Sequence, residues 1–335
     1  MKNGQSEQKR QKEVSGVDYI VLDLEWNQSP RGKAGERFGL PFEIIEIGAV
    51  KLDERRAVCS SFHEMIRPTV YRQLHYKTKE ILQMDMKELS LARGFKEVIQ
   101  DFFEWCGKDY VMCTWGSMDL TELQRNLKYF RVKNPLKKPL LYYDVQKLFS
   151  LLYEDGKSRR SLKDAVEHLE IEEDIPFHRA LDDTLYTAKI MEKMDMDAVR
   201  QYLSVDYFQL PEKKEEELHI VFDRYAKDVS RVFASREQIM EDKEIISTKC
   251  YICGRSLRKK MRWFPAGARN YLCLAYCQDH GYMKGKLRLK KAERGGIFAV
   301  KTLKFVSEAE AEELRLKRKE LEKKKRTKAR QKASV

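Results

Sequence analysis

The chain has 335 residues, 42% of them hydrophobic and 36% charged, with a formal net charge of +13 at pH 7. That length allows two domains and a sizeable core, while no apolar run approaches the ~18 residues of a membrane span. The first residues (MKNGQSEQKRQKEV) lack the apolar segment of a secretory signal, so neither a membrane nor a secreted protein is expected.

Residues 1–17 are polar and predict a frayed tail. Tyr19–Leu22, Glu43–Leu52 and Ala57–Ile66 read as three strands of an antiparallel meander. Between the first two, residues 27–42 hold Gly32, Gly35, Gly39 and two prolines, which predicts a long loop. Helices follow at 78–84 and 94–106, the second with Phe95, Val98, Ile99, Phe102 and Phe103 on one face. A strand is expected at 110–114, a helix at 117–129, a strand at 140–143, and helices at about 144–154, 161–169 and 179–193. The pattern is α/β with a mixed sheet. Residues 195–249 read as a helical linker, 250–305 as a separate basic unit, and 306–335 as a charged, basic tail forming one solvated helix.

The basic excess is not spread evenly. Residues 1–249 carry 41 Lys/Arg against 45 Asp/Glu, whereas residues 250–335 carry 25 against 8. A segment this basic suits a polyanion, and nucleic acid is the commonest one.

The distributed acids carry the chemistry. Asp23 and Glu25 alternate in VLDLEW, so a strand places both on one face. Asp23 sits in an apolar run, where an uncompensated carboxylate is costly and calls for a cation. Asp119 lies where a turn enters a helix, in CTWGSMDL. In FHRALDDTLYTA, His178 precedes Asp183 by five positions; Asp182 is the competing acid, and the spacing and helix face favour Asp183.

With these three motifs in order, residues 18–194 resemble the DEDDh family of 3′-to-5′ exonucleases. The surrounding EIIEIGAV, WGSMDL and HRALDDTLYTA match as well. The resemblance implies a ribonuclease-H-like fold and a phosphodiesterase that releases nucleoside 5′-monophosphates with two Mg²⁺ or Mn²⁺. It implies Asp23 bridging both ions, Glu25 and Asp183 on the water-bearing ion, Asp119 acting through ordered water, and His178 taking the proton of the attacking water. Within the family it looks closest to the exoribonuclease branch, which includes animal histone-mRNA and small-RNA trimming enzymes and sporulation-linked bacterial relatives. Single-stranded RNA is the expected substrate, with DNA as the alternative. A non-catalytic nucleic-acid-binding or regulatory protein, like an inhibitor of a sporulation kinase pathway, is the rival class. Trp26, Asn27 and Trp115 are candidate substrate contacts.

The seven cysteines are odd in number and four fall within 28 residues. This suggests metal ligation in a reducing, cytoplasmic setting. Cys250-x₂-Cys253-Gly254 and Cys277-x₂-His280-Gly281 share one form, and two such knuckles provide four ligands for a structural Zn²⁺ in a zinc-ribbon-like unit. Cys273 is an alternative ligand.

Overall fold

The computed structural model describes residues 17–293 and 295–333. The tail expected over 1–17 therefore lies, but for Val17, outside the described residues. The chain divides into two compact units, one ending at Phe208 and the other beginning at Gln209.

The first unit contains β1 (Asp18–Gln28), β2 (Phe42–Leu52), β3 (Val58–Met65), α1 (Tyr76–Leu82), α2 (Met86–Leu91), α3 (Phe95–Cys106) and β4 (Tyr110–Thr114). It continues with α4 (Met118–Tyr129), β5 (Leu141–Asp144), α5 (Val145–Tyr153), α6 (Leu162–His168), α7 (Ala180–Lys193), α8 (Met196–Val199) and β6 (Ser204–Val205). Its six-stranded sheet has the order β3-β2-β1-β4-β5-β6. The meander β1–β3 is antiparallel, β4 and β5 join β1 in parallel, and β6 returns antiparallel. Nearly every side chain of β2 is buried, as expected of a strand covered on both faces. The stripe Phe95, Val98, Ile99 and Phe102 turns α3 onto the core formed with Ile20, Leu22, Ile47 and Leu123.

The second unit departs from the sequence reading. Residues 195–249, read as helical, supply β7 (Leu218–Val221), β8 (Tyr225–Val229) and only a short α9 (Arg236–Glu241). They are followed by β9 (Arg258–Pro265), β10 (Asn270–Cys277), β11 (Gly281–Lys291), β12 (Ile297–Phe305) and α10 (Glu308–Ala333). The sheet is antiparallel in the order β7-β8-β12-β11-β10-β9. β8 pairs with β12 across some seventy residues of chain, a partnership that local propensity cannot reveal. The terminal helix is also not wholly solvated. Ala311 and Leu314 are buried, and with Leu321 they pack on Met261, Phe264, Leu272 and Leu274. No helix among the described residues is long and apolar enough to cross a membrane.

Candidate active site

Asp23 and Glu25 lie on one face of β1, where Asp23 is paired with Gly48 and Glu25 with Glu46 of β2. Helix α7 crosses this face in direct contact. A β-carbon at Gly48 would stand 2.2 Å from the backbone of Ala180 and Leu181, so only glycine lets the first turn of α7 come this close. Asp183 is then one turn into the helix. One carboxylate oxygen from each of Asp23, Glu25 and Asp183 falls within 4.8 Å of the others; Asp182 is not among them.

Asp119, in the first turn of α4, is buried and accepts the Leu24 N–H at 3.3 Å. It stands beside Asp23, outside the three-oxygen cluster. His178 lies just before α7 with φ +70°, a left-handed conformation that is costly for a residue with a β-carbon. Its N–H donates to Asp183 Oδ1 at 3.4 Å, and the residue is exposed.

The carboxylates burden one another. Burial, then Asp119, Glu25, Asp183 and Glu46, raise Asp23 well above the usual carboxylate range. Burial, then Asp183, Glu46 and Asp119, push Glu25 up to about 8. Burial also lifts Asp119 to about 7 and Asp183 to about 6, although backbone N–H groups oppose both. Arg179 eases the burden on Glu25 and His178 that on Asp183, yet both acids stay raised. Acids gathered at this cost could hold a cation, and their hard oxygens suit Mg²⁺ or Mn²⁺.

Sequence reasoning missed the support around this cluster. Glu46 is fully buried, bonded to His63 Nε2 at 2.7 Å and to Arg179 Nε at 3.1 Å. It thereby ties the residue before α7 to the sheet. Its signal was an acid flanked on both sides by isoleucines, Ile44-Ile45-Glu46-Ile47. A cavity of about 490 Å³ also adjoins the end of β1, lined by Ser29, Arg31, Glu36, Arg37, Tyr71 and Arg72 among others. Among the described residues none of these three arginines pairs with a carboxylate.

The candidate substrate contacts fare differently. Asn27 is buried, donating to the carbonyls of Tyr71 and Gln73 and accepting from His75 N–H. Its amide is therefore committed to anchoring residues 71–75, which corrects its reading as a substrate contact. Trp26 is half-buried with its ring 5.5 Å from Phe42. Trp115 donates its indole N–H to Arg160 O at 3.1 Å, with its ring near Phe149.

Comparison with known proteins decides the class: the exonuclease family model RNase_T matches residues 20–191, just over half of the chain. The chain belongs to this exonuclease family. It is a DEDDh-type 3′-5′ exonuclease. A probable 3′-5′ exonuclease, KapD of Bacillus subtilis, is 27% identical over 186 residues, covering 55% of this chain and 86% of that protein. The 3′-5′ exoribonuclease 1 of Mus musculus is 27% identical over 195 residues, 55% of this chain. The chain spans about half, 54%, of that relative's length. Among solved structures, the nuclease domain of 3′hExo, a DEDDh family member bound to rAMP, is similar with a TM-score of 0.48 and 21% identity. That match covers 57% of this chain and 97% of the other. Cell-death related nuclease 4 matches with a TM-score of 0.47 and 18% identity, over 57% and 67% of the two chains.

The exonuclease's second unit gathers Cys250, Cys253, Cys277 and His280, with all four ligand atoms within 4.8 Å. Cys253 Sγ and Cys277 Sγ are 3.7 Å apart, and His280 Nδ1 lies 3.6 Å from Cys250 Sγ and 3.5 Å from Cys277 Sγ. A tetrahedron with metal–sulfur bonds of about 2.3 Å and a metal–nitrogen bond of about 2.05 Å has edges of about 3.8 and 3.6 Å. The donors thus already have the spacing of a closed Zn²⁺ site. The glycines of both knuckles are left-handed, Gly254 at φ +71° and Gly281 at +84°, which lets each turn fold back on itself. Cys273 is elsewhere, buried on β10 where a β-carbon at Gly285 would meet its sulfur at 2.4 Å. It is a packed thiol that stands outside the four-donor cluster.

Proposed function

We propose that the chain removes nucleotides from the 3′ end of single-stranded nucleic acid, RNA in preference to DNA, and releases nucleoside 5′-monophosphates. The carrying observation is the convergence of Asp23, Glu25 and Asp183 within 4.8 Å. Two Mg²⁺ or Mn²⁺ would be held by these three and, through water, by Asp119; when bound, the ions supply Lewis acidity to a water and positive charge to the leaving oxygen. Asp23 and Glu25 present their oxygens from a rigid central strand. Glu46 and Arg179 hold the entry to α7, and hence Asp183, in place. His178 is exposed beside Asp183, where its imidazole can take a proton from the attacking water and pass it to solvent. The cavity lined by Arg31, Arg37 and Arg72 would receive phosphates of the strand, since guanidinium groups recognise phosphate by paired N–H bonds. The preference for RNA is supported by the mouse relative, whose name is that of an exoribonuclease.

In this reading catalysis belongs to the unit ending at Phe208. The unit beginning at Gln209 holds one structural Zn²⁺ through Cys250, Cys253, Cys277 and His280 and adds affinity for the strand by tethering. Seven cysteines without a disulfide among them fit a reducing, cytoplasmic setting.

The test is degradation of 5′-labelled single-stranded RNA and its DNA counterpart with Mg²⁺ or Mn²⁺, beside Asp23→Asn. A metal-dependent ladder shortening from the 3′ end, absent in the variant, is expected, with RNA consumed faster. Intact strands under every metal would instead favour a binding or regulatory protein.

A further inference from the structure

The sheet of the second unit sets cations against one another. On β11, Lys284, Lys286 and Arg288 alternate with the buried Met283, Gly285, Leu287 and Leu289, and so share a face. Lys304 of β12 is directly opposite Lys284 in the register, and Thr302, opposite Lys286, is also opposite Lys227 of β8. Like charges at opposed positions destabilise a sheet. Yet among the described residues none of Lys284, Lys286, Arg288 and Lys304 is in an ion pair. Burial, then Arg288, Lys284 and Lys317 of α10, hold the Lys286 ammonium below its ordinary value. Glu310, which accepts the Ser307 N–H, feels Lys304 and Lys284. Helix α10 covers the neighbouring part of the same face, over Leu272 and Leu274 of β10, so the cations line the flank it leaves open.

We propose that this flank is a docking surface for the phosphodiester backbone of a nucleic-acid strand, gripped by Lys284, Lys286, Arg288 and Lys304. Alternate residues of a strand stand about 7 Å apart, so β11 presents a row of charges that a chain of anions, rather than one small anion, can neutralise together. Such contacts carry no sequence information, which suits an enzyme that consumes its strand residue by residue. The identity of the ligand, though not the existence of the surface, rests on the proposed function.

Binding is measured by fluorescence anisotropy of labelled single-stranded RNA and DNA without added Mg²⁺ or Mn²⁺ and without chelator, so that the structural zinc is kept, with the full chain carrying Asp23→Asn so that nothing is cleaved. Replacing Lys284, Lys286 and Arg288 together by Gln should raise Kd about tenfold or more at low salt. It should also flatten the slope of log K against log salt by about 2, because each single-strand phosphate contact contributes about 0.7. A charge-matched variant with Gln at Lys213, Arg224 and Lys243 should move neither. Unchanged binding in the first variant, or equal losses in both, would overturn the proposal. Should the triple variant melt early, Lys286→Gln and Lys286→Arg carry the test: loss in the former with retention in the latter supports the surface, and equal binding refutes it. Binding to phosphatidylserine vesicles but not to the oligonucleotide would overturn it in favour of a membrane. A chain that binds the strand through this face but never hydrolyses it defeats the nuclease reading alone. A chain that hydrolyses it while the triple variant binds normally defeats this inference alone.

Discussion

A β-carbon at Gly48 would lie 2.2 Å from the carbonyl carbon of Ala180, so strand β2 and helix α7 meet backbone against backbone. This contact sets the height of Asp183 above Asp23 and Glu25. Gly48→Ala should force α7 outward, costing about 1–3 kcal/mol of stability by overpacking and most of the hydrolytic activity. The check is thermal unfolding beside Mn²⁺ affinity by calorimetry. Near-native metal affinity in a destabilised variant would show that the contact supports the fold without positioning the carboxylate.

The metal-free acids should make stability depend on pH in an unusual sense. Glu25, Asp119 and Asp183 titrate near 8, 7 and 6 when folded, but close to ~4 in an unfolded chain. The folded state then binds more protons than the unfolded one, so stability is greatest at low pH and falls as pH rises from about 4 to about 8. In EDTA, the melting midpoint of the exonuclease unit within the full chain should drop between pH 5 and pH 8, by at least about 5 °C. Asp23→Asn should weaken this dependence. Mg²⁺ or Mn²⁺ should restore stability most strongly at the alkaline end and release protons on binding. A midpoint that rises with pH in EDTA would contradict the electrostatics of the cluster.

For the cysteine site, Cys277→Ala or His280→Ala should abolish retention of one equivalent of zinc and lower the midpoint of the second unit. Cys273→Ala should retain the metal, and its cost should be confined to packing against Gly285 and Trp263. Zinc content by atomic absorption, followed by differential scanning calorimetry, separates these outcomes. Metal loss in the Cys273 variant would refute the ligand set.

If Arg31, Arg37 and Arg72 hold phosphates of the strand, Arg37→Gln combined with Arg72→Gln should raise KM for an oligonucleotide by about tenfold. The turnover number should stay close to native, as is expected when binding common to substrate and transition state is removed. Steady-state kinetics on an oligonucleotide and a dinucleotide decide it, the dinucleotide being too short to respond. A fall in kcat on both substrates would place these arginines in the chemistry instead.

The candidate site was legible where residue type and short spacing suffice. The i, i+2 acids of β1 share a face because a strand alternates, and His178 with Asp183 reads as a unit because it flanks one helix start. The glycine-closed knuckles announce a metal turn. Less was visible where a residue's role depends on a distant partner. Asn27 beside Trp26 resembles a substrate contact until residues 71–75 arrive to occupy its amide. Leu218–Val221 and Tyr225–Val229 are short, and they become strands because β12 offers an edge to β8 and β8 in turn offers one to β7.

By itself, then, the amino-acid order singled out the acids, the histidine and the thiol knuckles, because periodicity and local spacing are written along the chain, and the resemblance those motifs carry pointed to the exonuclease class. Only the tertiary structure decided that Cys273 stands apart from the other donors, that Gly48 seats α7, that Ala311 and Leu314 bury one side of the terminal helix, and that Lys284 faces Lys304. Each of these depends on which backbones approach across long separations. Packing and strand register settle that approach, and no local pattern records it.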